Sequence, residues 1–205
     1  PDAPKGGELY LSTTTNIQNF AGVPGTGVPS AQGIGRTVDR LLLRSADELS
    51  GLYGQLADGI ALSADRKSLF IRIHEKAQWH DGVPVTTKDV KFSYDDLLGR
   101  VFGKVYLATW IESLEIVNDK ELVVRHRDLF TNSNLVALTW FPIRPAHYYA
   151  DKEPGAPTLV PPVGSGPYRV VAFDTDYVRY ERVEDYWGRD IPVNLSLIHI
   201  SEPTR

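Results

Sequence analysis

The sequence predicts a mixed fold of the α/β or α+β class in which one domain is discontinuous along the chain. Two observations support this prediction. Short segments with the two-residue alternation of strands and short segments with helical patterning are mixed along the 205 residues. These segments do not recur as regular βαβ units, so the class stays open between α/β and α+β. The composition, 42% hydrophobic and 23% charged, is typical of one or two globular domains.

The first predicted elements flank a long loop. Residues 8–13 alternate enough to predict a strand, with Leu9 and Leu11 on one face. Residues 22–35 are rich in glycine and proline, which favours a loop. Residues 38–44 are apolar on one side, and we expect a helix there.

Residues 57–98 contain a strand pair, a tight turn and a capped helix in that order. Residues 68–74 predict a strand whose apolar face is formed by Leu69, Ile71 and Ile73. The sequence Trp-His-Asp-Gly at 79–82 predicts a turn in which Gly82 is free to adopt positive φ. Because Trp79 lies between a strand and a helix, we expect it to fill the core rather than to contact a ligand.

The helix after this turn has a start signal. Thr86 is the predicted N-cap, and Asp89, three residues on, takes the place of the glutamate in a capping box. The apolar face of this helix is predicted to be formed by Val90, Tyr94 and Leu97.

The remaining elements are shorter. Residues 114–117 and 121–126 flank Asn-Asp-Lys and predict a hairpin. Further elements are a helix at 134–139, an aromatic-proline corner at 140–142, a proline-rich linker at 151–163, and a hairpin of strands 168–173 and 177–183.

Composition excludes several classes of function. The chain has no cysteine, so it can form neither a disulfide nor a thiolate metal site or nucleophile. Its net charge of −4 gives no long-range attraction for nucleic acid or anionic lipid. No apolar run approaches the ~20 residues needed to span a bilayer. The chain also lacks methionine, so we expect that a segment precedes Pro1, either a cleaved secretory signal or a clipped piece.

The candidate catalytic and metal motifs are weak. His80 with Asp81 and the nearby His74 invites a metal or acid–base interpretation, but this spacing does not align two imidazoles. No His-Glu-x-x-His is present, and the glycines around Ser165 lack the outer positions of a nucleophile elbow. The glycines of 24–35 are not followed by the Gly-Lys-Ser/Thr of a phosphate loop. Glu181 with Glu184 or Asp185 lies on one exposed hairpin arm, so solvated charge explains it better than a glycosidase pair.

Three blocks together resemble one family. They are APKGGELYL at 3–11, LADGIALSADRKSLFIRIHEKAQWHDGVPVTTKDVKFSYDDLL from residue 56, and GSGPYRVVAFDTDYVRYERVEDYWGRDIPVN from residue 164. In that order they resemble the extracellular solute-binding proteins of family 5, which serve ABC importers of oligopeptides, dipeptides and nickel chelates. The opening block resembles the oligopeptide and microcin branch. Trp79 and Trp187 belong to the family's fold signatures, so the resemblance implies structural roles for both.

The resemblance sharpens the fold class to α/β, in the periplasmic-binding-protein type II (large, cluster C) two-lobed fold. It implies that only the first lobe and its inserted subdomain are represented. Residues 1–44 would start lobe I, 45–163 would form the inserted subdomain, and 164–194 would return to lobe I. The second lobe, which in peptide-binding members carries an acidic partner for the ligand's amino terminus, would lie beyond residue 194.

The last residues differ from the rest. The resemblance ends after Asn194, and SLIHISEPTR at 196–205 looks like the translation of a sequencing adapter. We therefore expect 195–205 to be a non-native tail and the chain to be a fragment. A natural terminal strand is the alternative, because Leu195, Leu197, Ile198 and Ile200 suit a strand.

The function implied by the resemblance is capture of peptides or peptide-like solutes in the periplasm for an ABC permease and its ATPase. Closure of two lobes around the ligand would provide the mechanism. No enzyme activity, catalytic residue, cofactor or metal is expected, and the protein is expected to be a monomer that binds no nucleic acid. The alternatives are a hydrolase of unknown mechanism, a structural or adaptor module, and a sensor or chaperone on the same fold.

The resemblance places five residues near the ligand. Asn19 and Phe20 end the loop after the first strand, although the family's usual Asn-Pro-Phe lacks its proline here. Tyr106 precedes the strand Ile-Glu-Ser-Leu-Glu, and Thr139 with Trp140 precedes the Pro-x-x-Pro corner. Aromatic residues grip ligands with little loss of entropy, but core packing is the favoured explanation for each aromatic residue taken singly.

Overall fold

The computed structural model describes residues 19–20, 31, 33–45, 51–97, 107–152, 158–174 and 177–189. The strands are β1 (Leu42–Arg44), β2 (Leu52–Gly54), β3 (Ala57–Leu62), β4 (Ser68–Ile73), β5 (Ile111–Ile116), β6 (Glu121–His126), β7 (Tyr168–Phe173) and β8 (Val178–Arg182). The helices are α1 (Thr87–Phe92), α2 (Leu107–Trp110) and α3 (Asn132–Ala137), with a 3₁₀ turn at Ile34–Arg36 and a π-helical turn at Ser93–Leu97. Among the described residues, no helix is long and apolar enough to cross a membrane.

The largest sheet is antiparallel with strand order β3-β4-β6-β5. In β4 the side chains of Leu69, Ile71 and Ile73 are at most 2% exposed, whereas Phe70 is 48% exposed. This alternation is the one that the sequence predicts, and it places one face of the sheet in the main hydrophobic core.

The turn between β4 and α1 closes on a buried tryptophan. Trp79 is 1% exposed and belongs to the main core, which confirms its predicted role. The Trp79 amide donates to the Val83 carbonyl at 2.8 Å, and Gly82 has the predicted positive φ of 84°. The capping box is also confirmed, because the Thr86 amide donates to Asp89 Oδ2 at 2.8 Å.

The predicted hairpin of 114–117 and 121–126 is formed by β5 and β6, although β5 begins earlier, at Ile111. The side chain of Asn118 shapes its turn, since Asn118 Oδ1 accepts the amides of Lys120 and Glu121, each at 2.9 Å. This is the local bonding that makes asparagine a turn residue.

The predicted helix at 38–44 is wrong. Residues 42–44 form β1, which pairs with β2 so that Leu42 lies opposite Gly54. Leu41 and Leu42 are both 1% exposed, and the Leu41 carbonyl accepts amides from residues 55 and 57. An extended backbone buries two consecutive leucines and satisfies this carbonyl, so tertiary pairing outweighs the weak helical pattern. α3 also begins two residues before the prediction, where Thr131 caps it.

The final hairpin is confirmed as β7 and β8, which form a separate two-stranded sheet. A second, smaller core lies against it and contains Phe20, Ala31 and Ile34. The predicted strand at 8–13, Tyr106 and the tail at 195–205 lie outside the described residues.

Candidate functional site

Two of the resemblance blocks, those that begin at residues 56 and 164, meet around residues 36–40. We call this place the motif junction and define it by Asp39, His80, Ser165, Tyr186 and Trp187. The Asp39 amide donates to Ser165 Oγ at 3.0 Å, and Trp187 Nε1 donates to the Ser165 carbonyl at 3.0 Å. Trp187 is therefore bonded within its own resemblance block, which confirms its expected structural role.

Asp39 is fully buried at the centre of the junction. Its Oδ1 accepts Gln55 Nε2 at 2.5 Å and Tyr186 Oη at 3.1 Å, and its Oδ2 accepts Trp187 Nε1 at 3.2 Å. Burial raises the pKa of the Asp39 carboxyl to about 7. The hydrogen bonds from Tyr186 and Trp187 and the positive charge of Arg40 act in the opposite direction and lower this pKa. Burial also raises the pKa of Tyr186, and the Asp39 charge adds to that rise.

Two glycines allow the backbones to meet there. A Cβ on Gly164 would lie 1.9 Å from the Thr37 carbonyl oxygen, and one on Gly166 would lie 2.6 Å from the Arg36 carbonyl oxygen. The Gly166 amide donates to the Thr37 carbonyl at 3.0 Å. The Gly-Ser-Gly sequence is thus required by close approach of two backbones rather than by chemistry at Ser165.

His80 joins the turn after β4 to the same glycines. Its amide donates to the Gly164 carbonyl at 2.7 Å, and its Nε2 lies 2.8 Å from the Gly166 carbonyl oxygen. Since a carbonyl only accepts, Nε2 carries the hydrogen in this contact. Burial lowers the pKa of His80, which favours the neutral ring. These bonds agree with the turn interpretation, and no group of three or more histidine or acidic side chains among the described residues could bind a metal ion.

Thr139 and Trp140 lie together at the end of α3. Thr139 is 8% exposed, and its hydroxyl donates to the Val136 carbonyl at 2.7 Å. Trp140 is 50% exposed and meets the buried Phe141 edge to face, with ring centroids 6.4 Å apart. Of these two predicted ligand residues, Trp140 therefore presents an aromatic surface to solvent, whereas Thr139 supports the helix end.

Asn19 and Phe20 are placed differently. Both are fully buried. Asn19 Oδ1 accepts the Thr158 amide at 3.0 Å, and the Phe20 amide donates to the Thr158 carbonyl at 2.7 Å. The Phe20 ring meets Phe173 of β7 edge to face at 4.8 Å. The Asn19 side chain thus contacts the linker and the Phe20 ring contacts the final hairpin, and their predicted role at a ligand stays a prediction.

Sequence reasoning missed Asp39 and Gln55, the two polar side chains on which the junction is built. One signal was present: an aspartate stands between Val38 and the apolar run that starts at Leu41. A carboxylate in an apolar stretch indicates a buried, hydrogen-bonded group. Nothing in the local sequence indicates which donors it meets.

Comparison with known families now identifies the class. Residues 51–201 match the family model described as bacterial extracellular solute-binding proteins, family 5 Middle. The chain belongs to this family. Solute binding for transport, rather than catalysis, characterises the family.

Two relatives and one solved structure illustrate the match. An uncharacterized protein y4wM of Sinorhizobium fredii is 35% identical over 205 residues, which is 95% of this chain and 30% of the relative. The probable peptide-binding protein YejA of Agrobacterium fabrum is 31% identical, over 95% of this chain and 33% of its own length. A mannohexaose-bound periplasmic oligopeptide-binding protein of Thermotoga maritima has a TM-score of 0.73 at 23% identity, covering 86% of this chain and 33% of that chain.

These coverages define what is represented. The chain spans about a third of the length of the relatives that it matches. Its fold is the α/β fold of the type II periplasmic binding proteins of family 5, as expected, of which it contains only a part.

Proposed function

We propose that this chain is part of the substrate-binding component of an ABC transporter that captures peptides or peptide-like solutes. The observation on which the proposal depends is the family match over 51–201, combined with a relative whose name describes peptide binding. Because the chain spans only about a third of such relatives, the solute and the transport partners belong to the proposal.

The described surface offers one wall for such a solute. Trp140 is half exposed, while its neighbours on both sides, Thr139 and Phe141, are buried. An aromatic ring on a fixed backbone provides a large apolar contact area at little entropic cost. We infer that Trp140 contacts the solute and that Thr139 fixes the helix end from which Trp140 projects.

The lobe boundaries that we propose, near residues 44 and 163, are supported by the motif junction. Contacts between Asp39 and Ser165, and between Thr37 and Gly166, join segments more than a hundred residues apart. This is the arrangement expected if the chain leaves lobe I after residue 44, forms a subdomain and returns at residue 164. The mechanism that we propose is closure of a second lobe over the solute.

We infer that the protein is not an enzyme. His80 and Ser165, the side chains most suggestive of catalysis, are both engaged in hydrogen bonds to the backbone of the junction. We further propose a periplasmic location and, as partners, a permease and an ATPase, with the binding protein itself monomeric. These proposals follow from the extracellular solute-binding family to which the chain belongs.

Calorimetric titration of the full-length protein that carries this chain tests the function. One titration uses a mixed pool of di- to octapeptides, and a second titration uses mannohexaose, the sugar bound to the Thermotoga relative. We expect saturable binding of peptide at micromolar concentration, weakened at least several-fold in Trp140→Ala, with the exposed Leu129→Ala as the control variant. Saturable binding of mannohexaose without peptide binding would reassign the solute, and binding of neither would contradict solute capture of these classes.

A further inference from the structure

One residue bonds two regions that are distant in sequence. The Asp39 carboxylate accepts Tyr186 Oη and Trp187 Nε1, and the Asp39 main-chain oxygen accepts the Ile143 amide at 2.9 Å. The next residue, Arg40, forms an antiparallel bridge with Pro142. Asp39 and Arg40 therefore lie between the Tyr186–Trp187 turn and the corner that carries Trp140.

This corner is restrained at three of its residues. Pro142 restricts the backbone of Phe141 before it, and the Phe141 side chain is 8% exposed. Thr139 is fixed to α3 through its hydroxyl. A displacement of residues 39–40 is thus transmitted to the segment from which the Trp140 ring projects.

We propose that Asp39 is a positioning residue for solute binding: its carboxylate fixes residues 39–40 against the Tyr186–Trp187 turn, and so fixes where Trp140 presents its ring. This inference rests on the proposed function for its effect on affinity. Asp39 is itself fully buried and reaches the solute only through the corner.

Hydrogen-bond donors converge on both oxygens of the Asp39 carboxyl group. Trp187 Nε1 can only donate. Gln55 Nε2 also donates, and its orientation is fixed because Gln55 Oε1 accepts the Arg40 amide at 2.8 Å. In Asp39→Asn the new amide group would face one of these donors, which loses its acceptor. The substitution preserves size, removes the ionisable group and changes the hydrogen-bond pattern.

The test uses the full-length protein labelled with 5-fluorotryptophan, observed by ¹⁹F NMR at a temperature at which every variant is folded. Substitution of each tryptophan by phenylalanine assigns the resonances. In Asp39→Asn we expect the Trp187 resonance to move through the lost contact and the Trp140 resonance to move with it, whereas Trp110, which stacks on His126, stays in place. Affinity for the peptide pool should fall by roughly 2- to 30-fold.

Asn118→Ala is the matched control, because it removes the turn bonds of the β5–β6 hairpin, which involve neither the junction nor the corner, and it should leave the Trp140 resonance and the affinity unchanged. A folded Asp39→Asn variant with unchanged Trp140 resonance and unchanged affinity would overturn the proposal. If that variant does not fold, Tyr186→Phe, which removes one hydroxyl donor to Asp39, must shift the Trp140 resonance, and an unmoved resonance overturns the proposal equally. If the wild type binds no peptide, the proposed function fails, and the Trp140 shift still decides the positioning role.

Discussion

Two buried aspartates organise this chain, and they do so over different distances. Asp89 is 4% exposed and Asp39 is 0% exposed. Asp89 accepts the Thr86 amide and Trp79 Nε1 on one oxygen and the Ala146 amide on the other, at 2.8, 3.3 and 2.8 Å. Two of these donors lie within ten residues of it, and one of them belongs to its own capping box.

Asp39 has no such local partner among its side-chain contacts described above. Its donors Gln55, Tyr186 and Trp187 are 16, 147 and 148 residues away in sequence. The comparison shows that a carboxylate can become equally buried and equally hydrogen-bonded in two ways. The partners of Asp89 are mostly close to it in sequence, whereas the partners of Asp39 come together only when the fold is complete.

The largest effect is expected at the local centre. Trp79→Ala should lower the free energy of unfolding by about 3–5 kcal/mol, because it removes a large buried ring and leaves the Asp89 carboxylate without one donor. Urea unfolding at constant pH measures this. Trp140→Ala, at a half-exposed site, is the control and should cost about 1 kcal/mol or less. Similar losses in both variants would mean that Trp79 is not the core element described here.

The second prediction concerns the pH dependence of stability that Asp39 confers. The folded-state pKa of Asp39, about 7, lies above its ordinary value of 3.8, so between these values the folded state retains a proton that the unfolded state releases. Stability from this group is therefore fully present below about pH 4 and falls as the pH rises to about 7, by up to about 1.4 kcal/mol per pH unit. Burial lowers the pKa of His80, which acts in the opposite direction below pH 6.5.

The difference between wild type and Asp39→Asn isolates the group. Urea unfolding from pH 4 to 8 should show that the advantage of the wild type shrinks across this range. A difference between wild type and Asp39→Asn that stays constant with pH would contradict the raised pKa.

The third prediction tests the close approach at the junction. Gly164→Ala should destabilise by about 1–3 kcal/mol, since its Cβ would overlap the Thr37 carbonyl, which is backbone and cannot turn away. Gly59→Ala is the control, because its Cβ would meet only the flexible end of Arg72 at 3.4 Å. Thermal unfolding of the two variants is compared with that of wild type. Equal stability of Gly164→Ala and wild type would show that the two backbones do not approach as described.

The smallest effect is expected at the capping box. Thr86→Ala should cost about 1 kcal/mol, because it removes the N-cap hydroxyl while the Thr86 amide can still donate to Asp89. Chemical unfolding measures the loss. Asp89→Asn, which also weakens the bond to Trp79, should cost more, and the reverse order would argue against Asp89 as the local centre.

The difference between the aspartates also explains what the sequence could predict. The strand at 68–74, the turn at 79–82 and the Thr86 cap depend on residues a few positions apart, and all were predicted. The helix predicted at 38–44 was wrong because Leu41 and Leu42 are buried in a core formed with residues distant in sequence, and this burial outweighs the local helical pattern.

The candidate site could likewise be predicted only where it depends on residues close together in sequence. The resemblance identified the block from residue 164, yet its partner Asp39 could not be found without the fold. For Trp140 the sequence predicted the corner, and the structure adds its exposure and the bonds that fix its neighbours. Its contact with a solute remains a prediction, as do those of Asn19, Phe20, Thr139 and Tyr106.

The central claim is that this chain supplies one wall of a solute site that a second lobe completes. Calorimetric titration of the purified 205-residue chain and of the full-length protein with the same peptide pool tests it most directly. The second lobe is expected to carry an acidic partner for the amino terminus of the peptide, and removing one partner of a buried charge pair typically costs about 2–5 kcal/mol. Without that lobe, the hydrogen bonds of the remaining wall are also exposed to water. A micromolar site of about −8 kcal/mol should therefore become millimolar or weaker in the 205-residue chain. Saturation of the full-length protein alone is the predicted result, and saturable micromolar binding by the 205-residue chain would contradict the account.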